Sequence, residues 1–91
     1  MVSYTYDDAQ IEVSESKNDE DVTFNVIVKT DEMRERVKEL RSYFEENKDY
    51  TDAMFYSHQD GHYEVIVRNK FYLVFLLHAF RFRCIQSLSW E

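Results

Sequence analysis

Residues 69–83 read Asn69-Lys70-Phe71-Tyr72-Leu73-Val74-Phe75-Leu76-Leu77-His78-Ala79-Phe80-Arg81-Phe82-Arg83, and no other part of the chain carries apolar groups so densely. From Phe71 to Leu77 seven apolar or aromatic side chains follow one another without a break. That is more than one stripe of an amphipathic helix accommodates, so a helix here is covered on most of its sides. Seven residues fall far short of the roughly 20 that span a bilayer, and Arg81 and Arg83 close the far end. The segment therefore reads as core, and no membrane association is expected. Each large apolar side chain contributes about 1.5–3 kcal/mol when fully buried, before ordering entropy is subtracted. Asn69 stands at the N-cap position of a helix predicted over 70–81.

Working outward, Cys84, Gln86, Leu88 and Trp90 alternate with Arg83, Ile85, Ser87 and Ser89, which predicts a closing strand over 84–90. No Gly or Pro stops the helix, so its continuation through Phe82 and Ile85 is the competing reading. Upstream, Asp60-Gly61 is a strong short-range hairpin signal as a two-residue type I′ turn. With that turn, His58 pairs with Tyr63, Tyr56 with Val65 and Met54 with Val67.

The first half of the chain follows the same logic. Residues 9–15 and 22–28 alternate with the period of half-buried strands. A hairpin about Asn18-Asp19 sets Val13 against Phe24, Ile11 against Val26 and Ala9 against Val28, one face being apolar throughout. Tyr4 and Tyr6 are out of phase with Ile11 and Val13, which predicts a bend at Asp7-Asp8. Thr30 and Asp31 are helix N-caps, and Met33, Val37, Leu40 and Phe44 recur at helical spacing, giving an amphipathic helix over 31–47. The resulting order is β-β-α-β-β-α-β in a single α+β domain over residues 1–91. Strands two to five with both helices follow the order of a ferredoxin-like sandwich, an antiparallel sheet with two helices packed on one face, preceded here by an extra N-terminal strand.

Composition narrows the function classes. Sixteen acidic and seven basic side chains lie in residues 1–60, whereas residues 61–91 hold two acidic and four basic, so the net charge of −7 is polarised along the chain. Such a field repels nucleic acid and attracts basic partners. Arg68, Lys70, Arg81 and Arg83 interleave with Phe71, Tyr72, Phe80 and Phe82, but the glycine-containing RNA-binding signature is missing and these aromatics fall on a helix. One cysteine, Cys84, permits no internal disulfide, and the N-terminus has no basic-then-apolar leader, so a cytoplasmic location is expected.

Catalytic equipment is sparse. One glycine cannot build a phosphate cradle, and no spaced Cys/His set is present. Neither a catalytic residue nor a cofactor is assigned. His58 and His62 fall on opposite faces of a two-residue hairpin, which argues against a metal site. Cys84 reads as a small buried hydrophobe, and His78 as a core or interface histidine. The clearest functional signal is an acidic ribbon, Asp7, Asp8 and Glu12 with Asp19, Glu20 and Asp21, flanked by Tyr4 and Tyr6 as aromatic anchors for an Arg/Lys-rich surface. The leading expectation is a small non-enzymatic regulator, of the inhibitor, antitoxin or immunity type, that covers a basic protein surface. The runner-up is a small-molecule-binding or cofactor-free enzymatic domain with a pocket lined by Tyr56, His58, Tyr63 and His78. Apolar surface left over on the hydrophobic helix is a candidate homodimer face.

Overall fold

In a computed structural model, which describes residues 1–48 and 51–91, the alternating stretches form strands and the 3.6-period stretches form helices. The order is β1 (Val2–Thr5), β2 (Ile11–Lys17), β3 (Asp21–Val28), α1 (Asp31–Glu46), β4 (Ala53–Ser57), β5 (His62–Arg68), a single 3-10 turn (Asn69–Phe71), α2 (Tyr72–Arg81) and β6 (Ser87–Trp90). The protein is α+β, with an antiparallel four-stranded sheet ordered β2-β3-β5-β4 and a two-stranded β1-β6 sheet. No described helix is long and apolar enough to cross a membrane.

Helix α1 begins where expected: the Thr30 side chain accepts a hydrogen bond from the Met33 amide, and Asp31 and Glu32 meet the positive end of the helix dipole. Its stripe of Met33, Val37, Leu40 and Phe44 is buried together with Phe75, Leu76 and Ala79 of α2. The same core takes Val22, Phe24, Val26 and Val28 of β3 and Tyr63, Val65 and Val67 of β5. Phe75 is the hub, its ring centroid lying 4.6 Å from Phe24 and 5.7 Å from Phe44.

Four expectations need correction. The first hairpin turns at Asp19-Glu20, so that Ile11 pairs with Val28 and Val13 with Val26, two residues from the expected register. Asn18 closes this turn through its amide to the Asp21 carbonyl (2.9 Å) and its side chain to the Asp21 carboxylate (2.7 Å). A two-residue slip preserves the faces, which explains why the apolar pattern alone did not distinguish the two. The second hairpin differs by one residue: Ala53 pairs with Val67, Phe55 with Val65 and Ser57 with Tyr63. Its loop is three residues long, Gln59 to Gly61, because the His58 amide bonds the His62 carbonyl (2.8 Å). A one-residue slip inverts the strand, so Phe55 faces the core while Met54 and Tyr56 face outward.

Asn69 is not an N-cap. Its side chain reaches back 3.1 Å to the Asp19 carbonyl and its amide bonds the Glu20 carbonyl, fastening the tip of the first hairpin. Lastly, α2 stops at Arg81, and only Ser87–Trp90 form a strand. The Arg83 and Cys84 amides bond the Phe80 and Ala79 carbonyls, a Schellman ending with Arg83 at φ 63° where glycine is usual. Because that turn redirects the chain, β6 pairs with β1, a strand not foreseen from the sequence, and β2 fills the sheet edge beside β3. The bend at Asp7-Asp8 does occur: the Asp7 carbonyl accepts from the Gln10 and Ile11 amides, and its carboxylate from the Ala9 amide.

Gly61 is required twice over. It has φ 75°, and a Cβ there would lie 2.7 Å from the Val28 carbonyl oxygen, while its own carbonyl accepts the Val28 amide at 2.9 Å. Gly61→Ala is expected to cost about 2 kcal/mol in urea denaturation. Asp60→Gly, at a neighbouring positive φ, is expected to leave stability unchanged or slightly raised.

Candidate functional site

The inverted register of β4 creates the principal exposed surface. On the side of the four-stranded sheet away from the core, cross-strand pairing sets Met54, Ile66, Thr23 and Ser16 in one row, and Tyr56, Glu64, Asn25 and Ser14 in the next. A third row holds His62, Ile27 and Glu12, with His58 opposite His62. Met54 is 56% exposed, and Tyr56 and Ile27 are each 42% exposed. Neighbours in such a row have Cβ atoms about 4.5–5.5 Å apart, so these side chains form one continuous patch.

Carboxylates gather at the two ends of this patch. One end carries Asp19, Glu20 and Asp21 at the hairpin tip, with Asp52 beside Arg68. The other end carries Asp7, Asp8 and Glu12, all near the start of β2. Strand β2 spans seven residues, about 20 Å between its ends. The expected single acidic ribbon is thus two clusters at opposite ends of the sheet. Each already holds one cation: Lys29 lies 3.5 Å from Glu12 and donates to the Asp8 carbonyl, and Arg68 pairs with Glu20 at 3.0 Å and Asp52 at 3.5 Å. The Asp7 carboxyl is held below its ordinary range by bonds from Gln10 and the Ala9 amide.

Tyr4 and Tyr6 are not free anchors, since both are half-buried against the core. The Tyr4 hydroxyl donates to Glu15 Oε2 at 2.6 Å, and the Tyr72 hydroxyl donates to the same carboxylate at 2.9 and 3.0 Å. Burial first, and then the hydrogen bond to Glu15, push both phenols up, Tyr72 to about 12. Glu15 itself was missed from the sequence. Its signal is a carboxylate in phase with Ile11 and Val13, on the inward side of β2.

The four residues of the expected pocket do not converge. Tyr63 points into the core, Tyr56 and His58 lie on the outer face, and His78 lies against Tyr43 with ring centroids 4.2 Å apart. The core itself contains one apolar void of about 30 Å³, room for little more than a water molecule and without polar partners to hold one. His58 and His62 share a face after all, their rings 5.0 Å apart, because the loop has three residues instead of two. His58 bonds Glu64 at 2.9 Å and His62 faces Asn25 at 3.4 Å. Among the described residues no three His, Cys, Asp or Glu side chains are grouped to hold a metal ion. Cys84 is buried and its thiol is pushed up to about 12 by that burial, which makes it a poor nucleophile.

Comparison with protein families, curated proteins and solved structures finds no match, so geometry alone carries the functional reading.

Two consequences are measurable. Glu15→Gln removes the charge that two phenols share, and is expected to lower stability by about 1–2 kcal/mol in urea and to bring the Tyr72 phenolate absorbance step toward its ordinary range. His78 has a buried Nδ1 with no partner, and burial, then Arg81, hold its pKa below 6.5. The unfolded chain therefore binds the proton more readily, and stability is full above pH 6.5 and declines as pH falls below it. His78→Phe keeps the ring against Tyr43; it is expected to gain about 1 kcal/mol and to flatten that acid slope in pH-dependent thermal melts.

Proposed function

We propose that this chain is a small cytosolic binding protein, an inhibitor or immunity-type regulator, that docks on a basic protein surface through the outer face of its four-stranded sheet. The observation that carries this reading is the row pattern of that face. Met54 and Tyr56 on the edge strand β4 and Ile27 on β3 stay exposed on it, although the chain had a core available to hide them. Tyrosine and methionine are enriched at protein interfaces, where apolar groups are bordered by polar and charged ones. Here the rim is carboxylate at both ends, in a chain of net charge −7, which steers a basic partner and disfavours an acidic one.

The finer architecture belongs to the same proposal. The succession β3-α1-β4-β5-α2, with β5 between β3 and β4, reads as a ferredoxin-like unit whose helices occupy one side of the sheet. Its usual closing strand is replaced at the edge by β2. An open sheet face is then a natural docking platform, because it offers side chains and not backbone groups.

Affinity capture from the native host lysate tests the assignment. The wild-type chain is expected to retain a basic protein at low salt and to release it at high salt. Tyr56→Lys with Met54→Lys should abolish capture, since it places charge of the partner's own sign along the β4 side of the contact. Charge reversal at Asp19, Glu20 and Asp21 should weaken capture and flatten its salt dependence. Retention of the same protein by the first variant, with an unchanged circular dichroism spectrum, removes this face from consideration.

A further inference from the structure

One surface of this acidic chain has the opposite character. Residues 69–90 contain no Asp or Glu, although the whole chain has 18. Where α2 ends, Arg36, Phe80, Arg81, Arg83, Ile85 and Gln86 line an open groove of about 710 Å³. That size falls within the range of about 300–1,000 Å³ common to small-molecule sites. Phe80 is 46% exposed.

The three guanidinium groups are held differently. Arg36 is fixed by its ion pair with Glu32 and by a 3.2 Å bond to the Arg83 carbonyl, so it is aimed but partly neutralised. Arg81 lies over the rings of Tyr43 and Phe82, 5.5 and 5.0 Å from their centroids, which orients it without consuming its donors. Among the described residues Arg81 and Arg83, like Arg34, have no carboxylate partner, whereas Arg36, Arg41 and Arg68 do; only Arg81 and Arg83 of the three line this groove.

Arg83 adds a backbone observation. It occupies the left-handed position of the helix ending at φ 63°, where glycine would be unstrained. A charged side chain kept at a strained position, on the lip of a groove and with no partner in the fold, points toward a ligand.

We propose that this groove binds a small anion carrying a phosphate or carboxylate on a flat apolar group. Arg81 and Arg83 supply charge-assisted, fork-shaped donation to the oxyanion, Arg36 completes the positive field, and Phe80 packs on the apolar part. The negative charge of the chain as a whole opposes anion approach, so a single free cation would not suffice. Two guanidinium groups free of carboxylate partners, beside an Arg36 that is paired with Glu32, are what make the site feasible.

Titration of the isotopically labelled protein, followed by the arginine side-chain and backbone amide resonances, provides the test. The probes are phenyl phosphate, benzoate, inorganic phosphate and benzyl alcohol. Phenyl phosphate or benzoate is expected to shift Phe80 to Gln86 and the Arg36, Arg81 and Arg83 side chains, whichever of the two binds more tightly identifying the oxyanion. Inorganic phosphate and benzyl alcohol should each bind at least about tenfold more weakly, since each lacks half of the recognised chemistry. Arg83→Gly removes one guanidinium while relieving the backbone, so it should melt at a higher temperature and still lose at least about tenfold in affinity. Arg81→Gln should lose a similar factor. Equal binding of inorganic phosphate, undiminished binding by Arg83→Gly, or shifts centred away from this groove would each overturn the proposal.

Discussion

The packing of Phe75 is the constraint on which the rest of the molecule depends. The ring of this one α2 side chain has its centroid 4.6 Å from that of Phe24 in β3, 5.7 Å from Phe44 in α1 and 6.2 Å from Phe55 in β4. Four elements are thereby tied to a single ring. For β4 the consequence is decisive, because admitting Phe55 to this cluster forces its neighbours Met54 and Tyr56 to the opposite side of the pleat. The exposed face is thus a by-product of how the core is filled. The exposed face and the core are here the two sides of one strand.

Charge is distributed by the same geometry. Carboxylates that stand close together in the sequence are carried to opposite ends of the four-stranded sheet by the length of β2, and Lys29 and Arg68 moderate each end. Glu15 goes inward and is shared by two phenols. What remains outside is a mixed face, with Met54, Tyr56 and Ile27 exposed between two anionic ends, while the end of α2 presents the reverse polarity. The chain is therefore not uniformly acidic as an object, in spite of its net charge of −7. Two surfaces of opposite sign thus share one small body.

Among the described residues, positive φ occurs in two places, Asp60 with Gly61 at the second hairpin and Arg83 after α2. At the hairpin it has a structural purpose, since the Gly61 carbonyl completes the hydrogen bonding of β3. After α2 it turns the chain so that Cys84 and Ile85 enter the core and β6 reaches β1. Glycine would satisfy that turn equally well, so the choice of arginine is not explained by the fold.

Much of the architecture was legible in the residues alone. The period-2 and period-3.6 patterns located both helices, both hairpins and the inward residues Ile11, Phe24, Val37 and Val65, because burial on one face imposes a spacing that any reader of the chain can count. The bend at Asp7 and the cap at Thr30 were equally local. What escaped the sequence were quantities set by partners distant along the chain. The loop after His58 gained a residue because the Gly61 carbonyl is held by β3, and this one-residue difference moved Tyr56 and His58 away from Tyr63 and put the two histidines side by side. Asn69 left its cap position to bind a hairpin tip fifty residues earlier. Sequence determined which residues seek burial. Only the tertiary structure decided which exposed residues meet, because a side chain's outward neighbours depend on strand register, and register answers to contacts that no local pattern contains.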